Sequence, residues 1–111
     1  MAEGYEPIIR NYNQDYPEYS GTYGSYRYNI HVEGNIAVIT GYVNISVTVP
    51  AATTIFTLPF ASAFTVYGFC TNQAGTKFVG LKIYNGTGDL ATDSTQLPTG
   101  VFIFNITVPI R

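Results

Sequence analysis

From Ser25 onward, apolar and polar residues alternate with a period of two, which is the signature of half-buried strands. In residues 25–33, Tyr26, Tyr28, Ile30 and Val32 fall on one face and Arg27, Asn29, His31 and Glu33 on the other. Glu33-Gly34-Asn35 predicts a turn, with Gly and Asn both supplying positive φ at low cost. A long strand is predicted over 36–49. Its Ile39, Val43, Ile45, Val47 and Val49 share one face, and Tyr42, Asn44, Ser46 and Thr48 the other. Gly41 near its middle predicts a bulge or bend, and the two segments together read as a hairpin. Pro50-Ala51-Ala52 ends that strand.

Further strands are predicted at 54–58, stopped by Pro59, at 66–71 and at 77–84, with a loop at 60–64 and a turn at 72–76. In 77–84, Val79, Leu81 and Ile83 alternate against Lys82 and Tyr84. Residues 85–100 are irregular, with a short edge strand around Leu90. The closing strand, 101–110, places Phe102, Phe104, Ile106 and Val108 on one face. Val101 and Ile103 make its second face apolar as well, which predicts cover on both sides, by the core on one and another subunit on the other.

Nowhere does an apolar stripe recur at helical spacing, and β-branched and aromatic residues outnumber the good helix formers. Short strands at roughly 8–12-residue spacing belong to a sandwich, jelly roll or barrel. About seven can be counted, and the expected fold is an all-β, antiparallel β-sandwich or jelly roll. Residues 1–24 hold no period of two. Rich in Tyr, Pro, Gly and acidic residues, they read as an N-terminal arm or linker, extended in part, whose tyrosines at 5, 12, 16, 19 and 23 pack on a partner or on the domain flank. The head domain is then 25–111.

With 111 residues the chain is expected to form one domain, and its 46% apolar content can fill one core. Charged residues make up 11%, against about 25% in ordinary soluble domains, which leaves a surface of Asn, Thr, Ser, Gly and Tyr. Such a surface suits a virion-exposed or secreted protein, or one flanked by partner subunits. The five basic residues are scattered and the net charge is −2, so no stripe exists to neutralise phosphates, and neither nucleic acid nor an anionic membrane is an expected partner. No charged-then-apolar leader and no apolar run near 18 residues is present, so neither a signal peptide nor membrane insertion is expected.

Catalytic options are few. His31 is the single histidine, mid-strand on the polar face, with no GxSxG motif anywhere. Four of the seven carboxylates lie in the N-terminal segment, and Asp89 and Asp93 share the irregular stretch. One His and one Cys are too few for a zinc site, NGTGDLATD lacks the spacing of a calcium loop, and no phosphate-cradling loop occurs. Cys70, in an apolar run, reads as a small buried hydrophobe. No catalytic residue, metal or cofactor is expected. Ten tyrosines with abundant Asn, Gly and Thr read instead as a recognition surface, flat apolar rings with polar tips.

The run YRYNIHVEGNIAVITGYVNISV, followed by TIFTLP, a polar Gly/Asp loop and a closing strand, resembles the C-terminal head domains of phage tail receptor-binding proteins and tail fibres. Gly34-Asn35, the spacing of Val38, Gly41 and Val43, and Leu58-Pro59 carry the resemblance, which covers residues 25–111. LPFASAF departs from it, lacking the Gly and Pro that often follow the third strand in that family. The resemblance implies a homotrimeric head on a virion tail, extracellular when assembled, that adheres to a bacterial cell-surface saccharide. It transfers no binding residue by motif. From the residues themselves, the candidate ligand-binding set is Arg27 and His31 on the polar face, with Tyr84, Asn85 and Asp89 at the mouth of the long loop.

Overall fold

The computed structural model of the chain describes residues 17–110 and the backbone of residues 9–12. Nine strands form among them: β1 Ile9–Tyr12, β2 Tyr19–Gly21, β3 Gly24–Glu33, β4 Ile36–Ile45, β5 Thr54–Thr57, β6 Val66–Asn72, β7 Phe78–Ile83, β8 Asp89–Thr92 and β9 Gly100–Pro109. All belong to one sheet of order β1-β3-β4-β9-β6-β7-β8-β5, with β2 also paired to β3. Every strand pair is antiparallel, and the sheet nearly closes into a barrel. The all-β antiparallel class expected from the sequence is therefore present, but as nine strands in one coiled sheet where about seven in a sandwich or jelly roll were expected.

Alternation decides what goes inside. Ile30 and Val32 of β3, Ile39 and Val43 of β4, and Phe102, Phe104, Ile106 and Val108 of β9 are buried, with Cys70, Val79, Leu81, Ile83 and Leu90 completing one core. Each such side chain contributes roughly 1.5–3 kcal/mol on burial. The intervening residues form the outer face.

Two features bear on how the sheet closes. Gly41 lies between Ile39 and Val43, paired with Tyr28 on β3. A β-carbon there would overlap the Arg27 carbonyl oxygen and sit 2.8 Å from the Tyr28 Cα, so β3 and β4 approach too closely for any other residue. No bulge forms at Gly41, since the β3–β4 register runs unbroken through it. The remaining gap, between β3 and the edge strand β5, is bridged by rings. Tyr26 stacks on Phe56 with centroids 4.2 Å apart and planes 6° apart, and Tyr28 lies 5.3 Å from the same ring. Tyr19 of β2 extends the stack, 5.4 Å from Tyr26.

Several local expectations change. The strand predicted over 36–49 ends at Ile45, because the Ser46 and Val47 N–H groups both donate to the Tyr23 carbonyl oxygen, at 2.8 and 3.3 Å, and the chain leaves the sheet. Val47 is consequently 57% exposed, while Val49 returns to the core through a reciprocal pair of 2.9 Å hydrogen bonds with Leu97. The strand around Leu90 is no edge: β8 lies between β7 and β5, and β5 is the edge. Its partner β5 is distant in sequence, so local pattern could not place it. At the first turn only Gly34 takes positive φ, 64°, as a two-residue hairpin with Gly in its first position requires. Asn35 contributes its carbonyl instead, accepting from the Ile110 N–H at 2.8 Å.

Within the segment 1–24, β1 and β2 are extended and hydrogen-bonded to β3, and Tyr19 and Tyr23 pack against the core. The side chains of Tyr5, Tyr12 and Tyr16 lie outside the described residues. Two buried hydroxyls pin the connections. Thr92 Oγ1 donates to the Pro50 carbonyl at 2.6 Å and accepts from the Thr53 N–H at 3.0 Å. Ser62 Oγ donates to the Phe64 carbonyl, and the Ser62 N–H to the Thr87 carbonyl.

Phe56→Ala should lower stability by about 3–5 kcal/mol in urea unfolding, whereas Phe64→Ala, at an exposed loop position, should change it by less than about 0.5 kcal/mol. Gly41→Ala should cost at least about 3 kcal/mol, since no side-chain rotation relieves a backbone overlap. A near-native urea midpoint for that variant would show that the two strands can separate there.

Candidate functional site

The outer face divides the five sequence-predicted site residues into two groups. Arg27 and His31 project outward from β3 with Asn29 between them, Arg27 and Asn29 half-buried and His31 exposed. The Arg27 Nε and Asn29 Oδ1 atoms are buried without a hydrogen-bond partner. Tyr84 and Asn85 follow β7, and Asp89 begins β8. Strands β4, β9 and β6 separate β3 from β7, which at ~4.8 Å per strand is roughly 19 Å around a curved surface. No strand pairing sets Arg27 and His31 beside Tyr84, Asn85 or Asp89; Asp89 approaches β3 across the seam instead, its partner Thr57 following Phe56, which stacks on Tyr26. Asp89 is engaged in joining β5 to β8, its Oδ1 accepting from the Thr57 hydroxyl at 2.9 Å. The Asn85 N–H donates to Thr65 Oγ1 at 3.2 Å, and Tyr84 lies beneath Lys82, whose Nζ is 4.6 Å from the ring centroid.

Between these groups lies a pocket of about 290 Å³ lined by Tyr42, Asn44, Gln73, Val101 and Ile103. Register creates it. Tyr42 of β4 pairs with Ile103 of β9, and Asn44 with Val101. The pairing of Asn72 with Phe102 carries Gln73, the first residue after β6, alongside. The inward residues Val43 and Phe102 are buried beneath. Two aliphatic side chains make an apolar floor, one phenol supplies a ring with a polar tip, and two amides offer both donors and acceptors. None of the five is a carboxylate, imidazole or amine, so the pocket has the groups to hold an uncharged polar ligand. The outward placement of Tyr42 and Asn44 and the apolar second face of the last strand were visible in the sequence. The pairing of β4 with β9, which makes them one site, was not.

Beside the pocket runs a ridge of exposed aromatic residues. Phe69 of β6 and Phe78 of β7 meet edge to face with centroids 5.7 Å apart. Thr71 pairs with Phe78 on one side and Ile103 on the other, so the ridge reaches the pocket wall. Tyr67 pairs with Lys82, whose Nζ lies 5.4 Å from the Tyr67 ring centroid.

The titratable groups give little to chemistry. No group of three or more His, Cys, Asp or Glu able to hold a metal occurs among the described residues. Cys70 is fully buried, its Sγ–H directed at the Val79 carbonyl oxygen at 3.7 Å, and burial pushes its thiol up to about 11. Burial, with the neighbouring Tyr28 and Tyr19, also raises the Tyr26 phenol. No family model and no curated protein matches the chain.

Both raised groups ionise more readily in the unfolded chain. The Cys70 contribution to stability is complete below the ordinary thiol value near 9 and is lost as pH rises through about 11, and that of Tyr26 is likewise lost toward alkaline pH. Urea midpoints should accordingly fall between pH 8 and pH 11, and fall less in Cys70→Ala, while native Cys70 resists alkylation until the protein unfolds. Rapid native alkylation at pH 8 would place the thiol at the surface.

Proposed function

We propose that the protein is a non-catalytic recognition head that holds an uncharged saccharide in the outer-face pocket. The observation that carries this reading is the lining of that pocket: the Asn44 and Gln73 amides and the Tyr42 ring around Val101 and Ile103, with no carboxylate, imidazole or amine. A pyranose offers a C–H patch for an aromatic or aliphatic wall and hydroxyls for amides, and these side chains match both. The likeness of residues 25–111 to phage tail receptor-binding heads supplies the biological context: a bacterial cell-surface saccharide as receptor, presentation on a virion tail, and a homotrimer whose repeated weak sites gain affinity by multivalency. A second reading, a structural subunit of a virion or surface assembly, or a freestanding adhesion module, draws on the exposed ridge of Phe69 and Phe78, which suits protein contacts better than sugar.

Binding should be measured by calorimetry and glycan array with cell-wall oligosaccharides. Asn44→Ala with Gln73→Ala should weaken it by about tenfold or more, corresponding to about 1.4 kcal/mol or more, and Tyr42→Ala should do the same. Arg27→Ala, His31→Ala and Asp89→Ala should have smaller effects. Retention of full affinity in the pocket variants, or loss confined to the His31 variant, would overturn this assignment.

A further inference from the structure

The aromatic ridge is the largest feature that the saccharide reading leaves unused. Tyr67, Phe69, Phe78 and Ile103 are 64%, 56%, 65% and 47% exposed, and Tyr84 adjoins them through Lys82. Their side chains point outward from three adjacent strands, β9, β6 and β7, whose pairing makes the surface continuous. With ~200 Å² for a whole aromatic side chain, the exposed fractions amount to roughly 500 Å² of apolar surface. A standard interface buries about 800 Å² per partner, about 65% of it apolar in homodimers, so the ridge matches the apolar share of one interface side.

Area and low charge together fit a second copy of the chain. Lys82 is held over two tyrosine rings, and Asp93 stands beside Gly80 on the same face, its Cβ 3.7 Å from where a Gly80 side chain would begin. Gly80 is the cross-strand partner of Phe69. With Lys77, the exposed residue preceding Phe78, two cations and one anion flank the rings. So few charges give a strongly charged partner little to recognise and cost a copy of the same surface little repulsion. The chain as a whole carries only −2, so long-range repulsion between copies is weak as well.

We infer that the ridge centred on Phe69 and Phe78 is a contact face between copies of this chain. It excludes solvent from the rings, and the neighbouring polar residues Thr71, Gln73 and Asn105 form its rim. The inference is independent of the pocket's ligand: Phe69 and Phe78 line no part of the pocket, and association needs no saccharide.

Sedimentation equilibrium and light scattering of the full chain without glycan, from low to high micromolar concentration, test this. The wild-type protein should associate, with little change on raising salt. Phe69→Ser combined with Phe78→Ser should weaken association by about tenfold or more, while Val47→Ser, which removes an equally exposed apolar side chain outside the ridge, should leave it unchanged. Far-UV circular dichroism checks that the variants fold, and Phe78→Lys alone provides a second, charge-based disruption. A wild-type monomer throughout, association that survives in the ridge variants, or equal loss in Val47→Ser would overturn the inference, whatever the glycan experiments give. Normal association in Asn44→Ala, which lies outside the ridge and its rim, would separate the two sites.

Discussion

The architecture depends on closing a single sheet around its own apolar face. A sheet buries one face only by packing against another layer or by curling on itself, and no helix or second sheet is present among the described residues. Closure through backbone hydrogen bonds is incomplete, because the edge strand β5 pairs with β8 alone. The seal comes from side chains: Phe56 of β5 stacks on Tyr26 and Tyr28 of β3, and Tyr19 of β2 continues the column. Stacked rings of this kind contribute about 0.5–1.5 kcal/mol each beyond the area they bury.

A filled interior has a functional consequence. Inward positions of small barrels of about eight strands are just occupied by side chains, and here they hold Phe, Ile, Leu and Val with almost no exposed surface. Recognition is therefore confined to the outer face and the loops. The outer face is not uniform. Over β3 it carries Arg27, His31 and Glu33; over β4 and β9 it holds the amide and phenol groups of the pocket; and over β6 and β7 it becomes aromatic. This gradient, across strands bound into one rigid sheet, places a polar, uncharged pocket next to an apolar contact surface, with Ile103 shared between them. In an assembly joined through the ridge, each pocket would lie at the margin of a subunit contact, an arrangement that favours simultaneous engagement of neighbouring sites.

Low charge content links these features. With 11% charged residues, the protein relies on hydroxyl and amide hydrogen bonds where other domains use ion pairs. Thr92 and Ser62, both fully buried, tie connections to the sheet, and the Asn72 Oδ1 accepts from the Thr76 and Lys77 N–H groups at 2.8 and 3.1 Å to shape the turn between β6 and β7. These neutral bonds are little affected by salt, and burial raises the Cys70 thiol and the Tyr26 phenol, which places their effect on stability at alkaline pH.

The sequence alone determined the strands from Ser25 onward and the faces of most of them, because a period of two is a local property that each strand carries regardless of its partner. Tyr26 to Val32, Val79 to Ile83 and Phe102 to Val108 were assigned to their faces this way, and the β3–β4 and β6–β7 hairpins followed from short turns. Exceptions arose where a long-range hydrogen bond overrode the pattern, as when the Tyr23 carbonyl drew Ser46 and Val47 out of the sheet. Residues 9–12 and 19–21 lacked the alternation and became strands only because β3 offered an edge. Tertiary structure alone decided that β4 lies beside β9 and β5 beside β8, that Phe56 meets Tyr26, and that no strand pairing joins Arg27 and His31 to Tyr84, Asn85 and Asp89. Outward residues become a site only when non-local pairing sets their strands side by side, and that choice rests on the total apolar area the closed sheet buries, which no local window of residues contains.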